Sequence, residues 1–266
     1  MPPPRRYSTE LRAEQTAVAK RLILASAGRL FIEKGYLGTT LAAVAAAAGV
    51  SVQTVYNVIG GKPALLKAVY DVTLAGDDEP VPIGDRPHYR AMQRATDGRE
   101  MLARYAGIGR QMSERVLPLV TKLLAQAASG DPDLQAFADT IEGERATGTT
   151  MMANAISERF GLRPGLSPRD AADILWTLTS PDLADRLVNR RGWGWDKTQA
   201  WLGNAMADAL LGPSAPLRAH RRRDFNGGCT VDGASSESSF RSPRRSPWCS
   251  ASGSCSIINL PRPSAG

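Results

Sequence analysis

Residues 31–66 read FIEKGYLGTTLAAVAAAAGVSVQTVYNVIGGKPALL, and the rest of the chain takes its meaning from them. Thr39-Thr40 can supply an N-cap hydroxyl for a helix in which Leu41, Val44, Ala45 and Ala48 share a face. The other positions of that helix are nearly all alanine, so a second helix can approach closely. Gly49 stops it and permits a tight turn, which needs a residue free to take positive φ. Val50 is the apolar residue such a turn buries. Ser51 caps a third helix, about 52–59, held inward by Val55 and Ile59. Two short helices joined by a glycine-containing turn make a helix-turn-helix. The outer face of the third helix carries Val52, Gln53, Tyr56 and Asn57, side chains that can reach base edges in a major groove.

Outward from that stretch, every pattern is helical. A first helix spans about 14–34, with Ile23, Ala27, Leu30 and Phe31 on one stripe and Gly35 as its C-terminal stop. After Gly60-Gly61 a fourth helix has Pro63 in its first turn and Leu66, Val69, Tyr70 and Thr73 on its inner face. A Pro-rich stretch, 77–96, holds one short helix near 88–95. Longer helical patterns follow at about 98–128, 132–160, 168–180, 182–190 and 195–211, with Asp97, Asp131 and Ser167 as caps. No period-2 run is bounded by turns, so an all-α fold is expected. The organisation read from this is a flexible arm at 1–13, a helix-turn-helix domain at 14–76 and a helical domain at 77–212.

Residues 213–266 break the pattern. They contain 12 Ser, 6 Pro and 8 Arg, no Lys, and all three cysteines, Cys229, Cys249 and Cys255. Such a segment buries too little apolar surface to offset its ordering entropy, so a disordered tail is expected. Two origins fit its composition: a natural tail, or translation in a shifted frame of a GC-rich gene.

Charge is unevenly spread over the 266 residues, whose net charge is +7. Residues 1–75 hold 9 Lys/Arg against 4 Asp/Glu, whereas 76–212 hold 16 against 19. A compact basic block next to an acidic body suits a surface that faces phosphate at one end only. Enzyme classes find little support: there is no Walker loop, no GxGxxG after a strand and no G-x-S-x-G. The two histidines, His88 and His220, form no ligand cluster with cysteine, so neither a metal nor another cofactor is expected. The longest apolar run, 41–50, is about half of what a spanning helix needs. With its few cysteines, the chain is expected in the cytoplasm, with no membrane partner.

The spacing of Phe31, Gly35, Tyr36, Thr39-Thr40, Val44-Ala45, Ala48-Gly49-Val50-Ser51, Thr54-Val55-Tyr56, Lys62 and Leu65-Leu66 resembles the DNA-binding domain of the TetR family of transcriptional regulators. Ile59 departs from it, standing where the family usually carries an aromatic. The resemblance implies that Thr40, Tyr56 and Lys62 bind phosphate or the sugar-phosphate backbone, and that Thr54 meets phosphate or a base. It implies base contacts from Gln53 and Asn57, and a thymine methyl contact from Val52. It also implies a homodimer on a pseudo-palindromic double-stranded operator. An apolar or amphipathic effector would bind in the C-terminal domain, with Met101, Tyr105, Met112, Met151 and Trp176 as candidate lining. Each residue has a plainer reading: Thr40 as a cap only, Tyr56 as a partly buried aromatic, the amides and Lys62 as solvated surface, the methionines as core. The expected function is a ligand-responsive repressor. The alternative is a helical protein-interaction scaffold that has lost specific DNA binding.

Overall fold

The caps and stops written into the sequence set most of the helices. The computed structural model describes the backbone of residues 5–77, 81 and 83–212, and the side chains of 11–77, 81 and 84–212. The element order is α1 (Arg5–Lys34), α2 (Leu41–Ala48), α3 (Val52–Val58), α4 (Lys62–Ala75), a 3-10 turn (Ile83–Asp85), α5 (Pro87–Gln93), α6 (Gly98–Ala127), α7 (Pro132–Phe160), α8 (Pro168–Leu178), α9 (Pro181–Asp185) and α10 (Trp195–Leu211). No strand occurs among the described residues. The fold is all-α, as expected. Residues 1–4 and the expected tail at 213–266, with its cysteines, lie outside the described residues.

Two boundaries differ from the reading above. α1 begins at Arg5, not near Glu14, so most of the expected arm is helix. Residues 5–13 contain neither Gly nor Pro, and nothing in them stops a helix propagating backwards from its packed turns. The pattern at 182–190 is not one regular helix: α9 passes into a π-type turn at Arg186–Arg190. The caps agree closely. Ser167 and Asp170 form a reciprocal capping box at the start of α8, and Asp97 and Asp131 accept from the Glu100 and Leu134 amides.

Buried side chains form two clusters. The first joins Ile23, Ala27 and Phe31 of α1, Val44 of α2, Val55 of α3 and Leu65, Leu66 and Val69 of α4 to Val116, Leu119 and Leu123 of α6 and Leu134 and Ile141 of α7. The second gathers Met92, Met101, Leu102, Ile108, Met152, Ile156, Leu175, Met206 and Leu210. The chain-order division at 76/77 therefore runs through a shared core: the far half of α6 and the near half of α7 pack with the helix-turn-helix. Polar ties reinforce that packing. Lys67 of α4 pairs with Asp71 at 2.6 Å and with Glu144 of α7 at 2.9 Å. Arg115 of α6 donates to the Leu74 carbonyl at the end of α4, at 2.8 Å.

Burial holds phenols neutral in this core. Tyr70, edge-on to Phe137 at 5.5 Å, has its pKa pushed up from 10.0 to about 12 by desolvation and then by the Glu144 charge. A group whose folded pKa is raised contributes stability that is whole below its unfolded value and is lost as pH rises through the folded one. Stability is therefore expected to hold up to pH 10 and to fall between pH 10 and 12. Phenolate absorbance should then rise together with loss of helical circular dichroism. Titration of all tyrosines at pH 10, with the helices intact, would contradict this.

Candidate nucleic-acid interface

The interface begins at Gly49, whose φ of +69° lets the chain leave α2 and enter α3 within three residues. The two helix axes diverge by 97°, within the range of a helix-turn-helix. Thr39 and Thr40 divide the work at the start of α2. Thr39 is buried, its hydroxyl donating to the Gly35 carbonyl at 2.7 Å. Thr40 is exposed, and its hydroxyl accepts from the Ala43 amide at 3.1 Å. Its capping reading is thus realised, and the hydroxyl sits at an open helix N-terminus. Ser51 accepts from the Thr54 amide at 3.0 Å, and the Ser51 and Thr54 hydroxyls are 2.8 Å apart. Thr54 is partly buried with its hydroxyl already engaged, which leaves it less room for a phosphate than the resemblance implied.

α3 has only seven residues, too few to be stable alone, so its orientation comes from burying Val55 completely. The opposite face is open: Tyr56 is 52% exposed and Val52 39%, with Gln53 and Asn57 exposed beside them. Gln53 Nε2 donates to Asn57 Oδ1 at 2.8 Å across one helical turn. Whichever way the two amides are turned, that single bond leaves one carbonyl oxygen and spare N–H groups pointing outward. An acceptor next to a donor is what the N6 and N7 edge of adenine requires.

Lys62, the first residue of α4, lies with Nζ 4.1 Å from the centroid of the Tyr36 ring. Desolvation lowers its pKa, while the Asp131 and Asp133 charges act the other way. Tyr36 is itself buried. Its amide donates to Gln126 Oε1 at 2.7 Å and its hydroxyl to Asp133 Oδ2 at 2.8 Å. The sequence shows Asp131 as a cap but gives no sign of Gln126 or Asp133 at this site, because partners 90 and 97 residues away leave no local pattern.

The candidate effector residues do not come together around a cavity. Met101 is buried in the second core cluster, and Tyr105 and Met112 are partly buried along the same side of α6. Met151 of α7 and Trp176 of α8 are exposed, by 48% and 39%. Trp176 lies under the Arg145 guanidinium, 5.3 Å from the ring centroid, and its carbonyl accepts from Arg145 at 2.7 Å. Those two side chains are therefore surface, not lining. None of the five borders the open cavity of about 400 Å³ between Gly98, Phe160, Leu162 and Leu211, or the closed space of about 30 Å³ between Ala106, Leu178 and Trp195. Their helix spacing was read correctly; the direction each face takes depends on neighbours that the spacing does not reveal.

An all-helical chain with an exposed, amide-bearing α3 set at right angles to α2 has the architecture of a helix-turn-helix regulator. Residues 23–69 match the model described as bacterial regulatory proteins, tetR family, and by that match the helix-turn-helix unit belongs to the TetR family of DNA-binding transcriptional regulators. Solved structures share the fold over most of the described helices. NalD, the secondary repressor of the MexAB-OprM multidrug efflux pump in Pseudomonas aeruginosa, is 21% identical, with 74% of this chain and 98% of NalD covered and a TM-score of 0.52. A transcriptional regulator from Saccharomonospora viridis in complex with choline is 16% identical, with 73% and 97% covered and a TM-score of 0.52. A protein from Rhodococcus sp. assigned to the TetR-family regulators is 18% identical, with 73% and 99% covered and a TM-score of 0.51. No curated protein matches the chain.

Proposed function

We propose that the protein is a cytoplasmic, homodimeric, ligand-responsive transcriptional repressor without catalytic activity. The observation that carries the reading is the outward face of α3, where Gln53, Tyr56 and Asn57 stand exposed on a helix whose opposite side packs through Val55 and Val58. In this reading Gln53 and Asn57 hydrogen-bond base edges and Val52 meets a thymine methyl. Thr40, Tyr56 and Lys62 hold phosphates, with Thr54 at the margin of the contact. Two copies of α3 enter successive major grooves about 34–36 Å apart.

Dimerisation is assigned to α8 and α10, which expose Trp176 and Trp201. Trp201 stands edge-on to Trp193 at 5.9 Å and is 40% exposed, an apolar side chain that a second copy of the helix could cover in an isologous contact. The effector is assigned to the body of α5–α7, beside the partly buried Tyr89, Tyr105 and Met112. An apolar or amphipathic ligand there would favour a conformer whose recognition helices are wrongly spaced, so DNA affinity falls by linkage. The repressor role of NalD and the choline bound to the Saccharomonospora viridis protein are compatible with that reading.

The experiment is sequence enrichment from random duplexes with purified protein, followed by gel shifts against the DNA upstream of its own gene. A pseudo-palindromic site with half-sites about one helical turn apart is expected. Protein that retards no duplex at low salt would instead be a helical interaction scaffold, and the proposal would fail.

A further inference from the structure

The corner between α6 and α7 is fastened to the edge of the helix-turn-helix unit. Gln126, in the last turn of α6, accepts from the Tyr36 amide at 2.7 Å. Asp133, in the first turn of α7, accepts from the Tyr36 hydroxyl at 2.8 Å. Gly35, at φ +73°, leaves the space that Gln126 fills: a Cβ there would lie 2.1 Å from Gln126 Nε2. The Lys62 ammonium rests on the other side of the same phenol, 4.1 Å from the ring centroid. Asp131 caps α7 through the Leu134 amide at 3.1 Å, which places a second carboxylate at the same corner. Two carboxylates are thereby brought close to the lysine at the start of α4, and both act on its charge.

We propose that Asp131 and Asp133 form an electrostatic brake on duplex binding, holding two negative charges beside the phosphate position served by Lys62. This deepens the proposed function and rests on its reading of Lys62 as a phosphate contact. A phosphate that reaches the outer side of the ammonium comes within a screening length of both carboxylates and is repelled by them, while the lysine attracts it. The Tyr36 and Gln126 bonds keep the corner from swinging away, so the repulsion is built into the fold and does not depend on a mobile side chain. The acidic corner belongs to the effector-domain helices, so the affinity of the DNA-binding surface is set partly from outside it.

The test is a salt titration of binding to one mixed-sequence duplex, from about 50 to 200 mM. It compares the full chain with D131N/D133N, D133N, E158Q and K62A. Asparagine keeps the cap at 131 and an acceptor oxygen for Tyr36, so both changes remove charge and leave the hydrogen bonds. At the low-salt end D131N/D133N is expected to bind about fivefold tighter, D133N about twofold tighter, and both gains should shrink towards high salt. Glu158 lies near the far end of α7, about 40 Å from Asp131 along the helix. E158Q makes the same change of charge per residue there and should bind as the unaltered protein does. Equal affinity in D131N/D133N and D133N, weaker binding in either, or an equal gain in E158Q overturns the brake. K62A tests the underlying reading separately: it should lower the slope of log K against log salt by about one. An unchanged slope in K62A removes Lys62 as a phosphate contact. A changed slope with no gain in the aspartate variants removes only the brake.

Discussion

Phe31→Ala is expected to remove about 3–5 kcal/mol of folding stability and to lower the thermal midpoint by roughly 6–20 °C. Phe31 is fully buried, its ring 5.9 Å from that of Tyr36, in the cluster that includes Val44, Val55 and Leu66. Alanine leaves a cavity where α1, α2 and α3 meet, and the two short helices have little intrinsic stability with which to close it. Duplex binding should fall with stability, because packing of Val55 and Val58 on this cluster is what orients α3. The same cluster contains Leu119 and Leu123 of α6, so the loss should spread beyond the helix-turn-helix and appear as one cooperative transition at a lower midpoint. Differential scanning calorimetry with parallel gel shifts reads both effects. A midpoint within about 2 °C of the unaltered protein would falsify the packing account.

Q53A/N57A is expected to leave the fold intact and abolish sequence preference. The two amides are exposed and bonded to each other, so their removal costs little stability. A well-placed amide contact discriminates between bases by about 1–3 kcal/mol, so the pair should account for at least tenfold and up to about 10⁴-fold preference for the selected site. Affinity for mixed-sequence duplex should stay within about twofold, because phosphate contacts supply it. K62A should do the reverse, weakening every sequence by a similar factor. Competition between the selected site and mixed DNA separates the two. A double-alanine variant that still prefers its site would move base recognition to Val52 or Tyr56.

Much of this was legible in short stretches of chain. Gly49 between two apolar-faced segments marks a turn that only a residue free at positive φ can make, and Ser51 marks the helix start that follows. Asp97, Asp131 and Ser167 each cap the helix they precede. These signals survive translation into structure because a cap, a stop and a turn each act within four residues. The start of α1 was misplaced for the same reason: residues 5–13 carry no local start signal, and the helix runs through them from Arg5.

Outward-facing residues were harder to assign. The spacing of Met101, Tyr105 and Met112 puts them on one side of α6, and that side does turn inward. Met151 and Trp176 looked equally apolar and face solvent. A helix periodicity fixes which residues share a face, but only the neighbouring helices settle whether the face is covered.

The fold class, the position of the turn, the caps and the amide-bearing face of α3 follow from residues that interact within one or two helical turns, so the order of amino acids was enough to specify them. The shared core across 76/77, the seating of Tyr36 on Gln126 and Asp133, and the nearness of two carboxylates to Lys62 needed the folded chain. Those contacts join residues up to 97 positions apart. No local propensity encodes such a pairing, which exists only once packing has brought the α6–α7 corner against the end of α1.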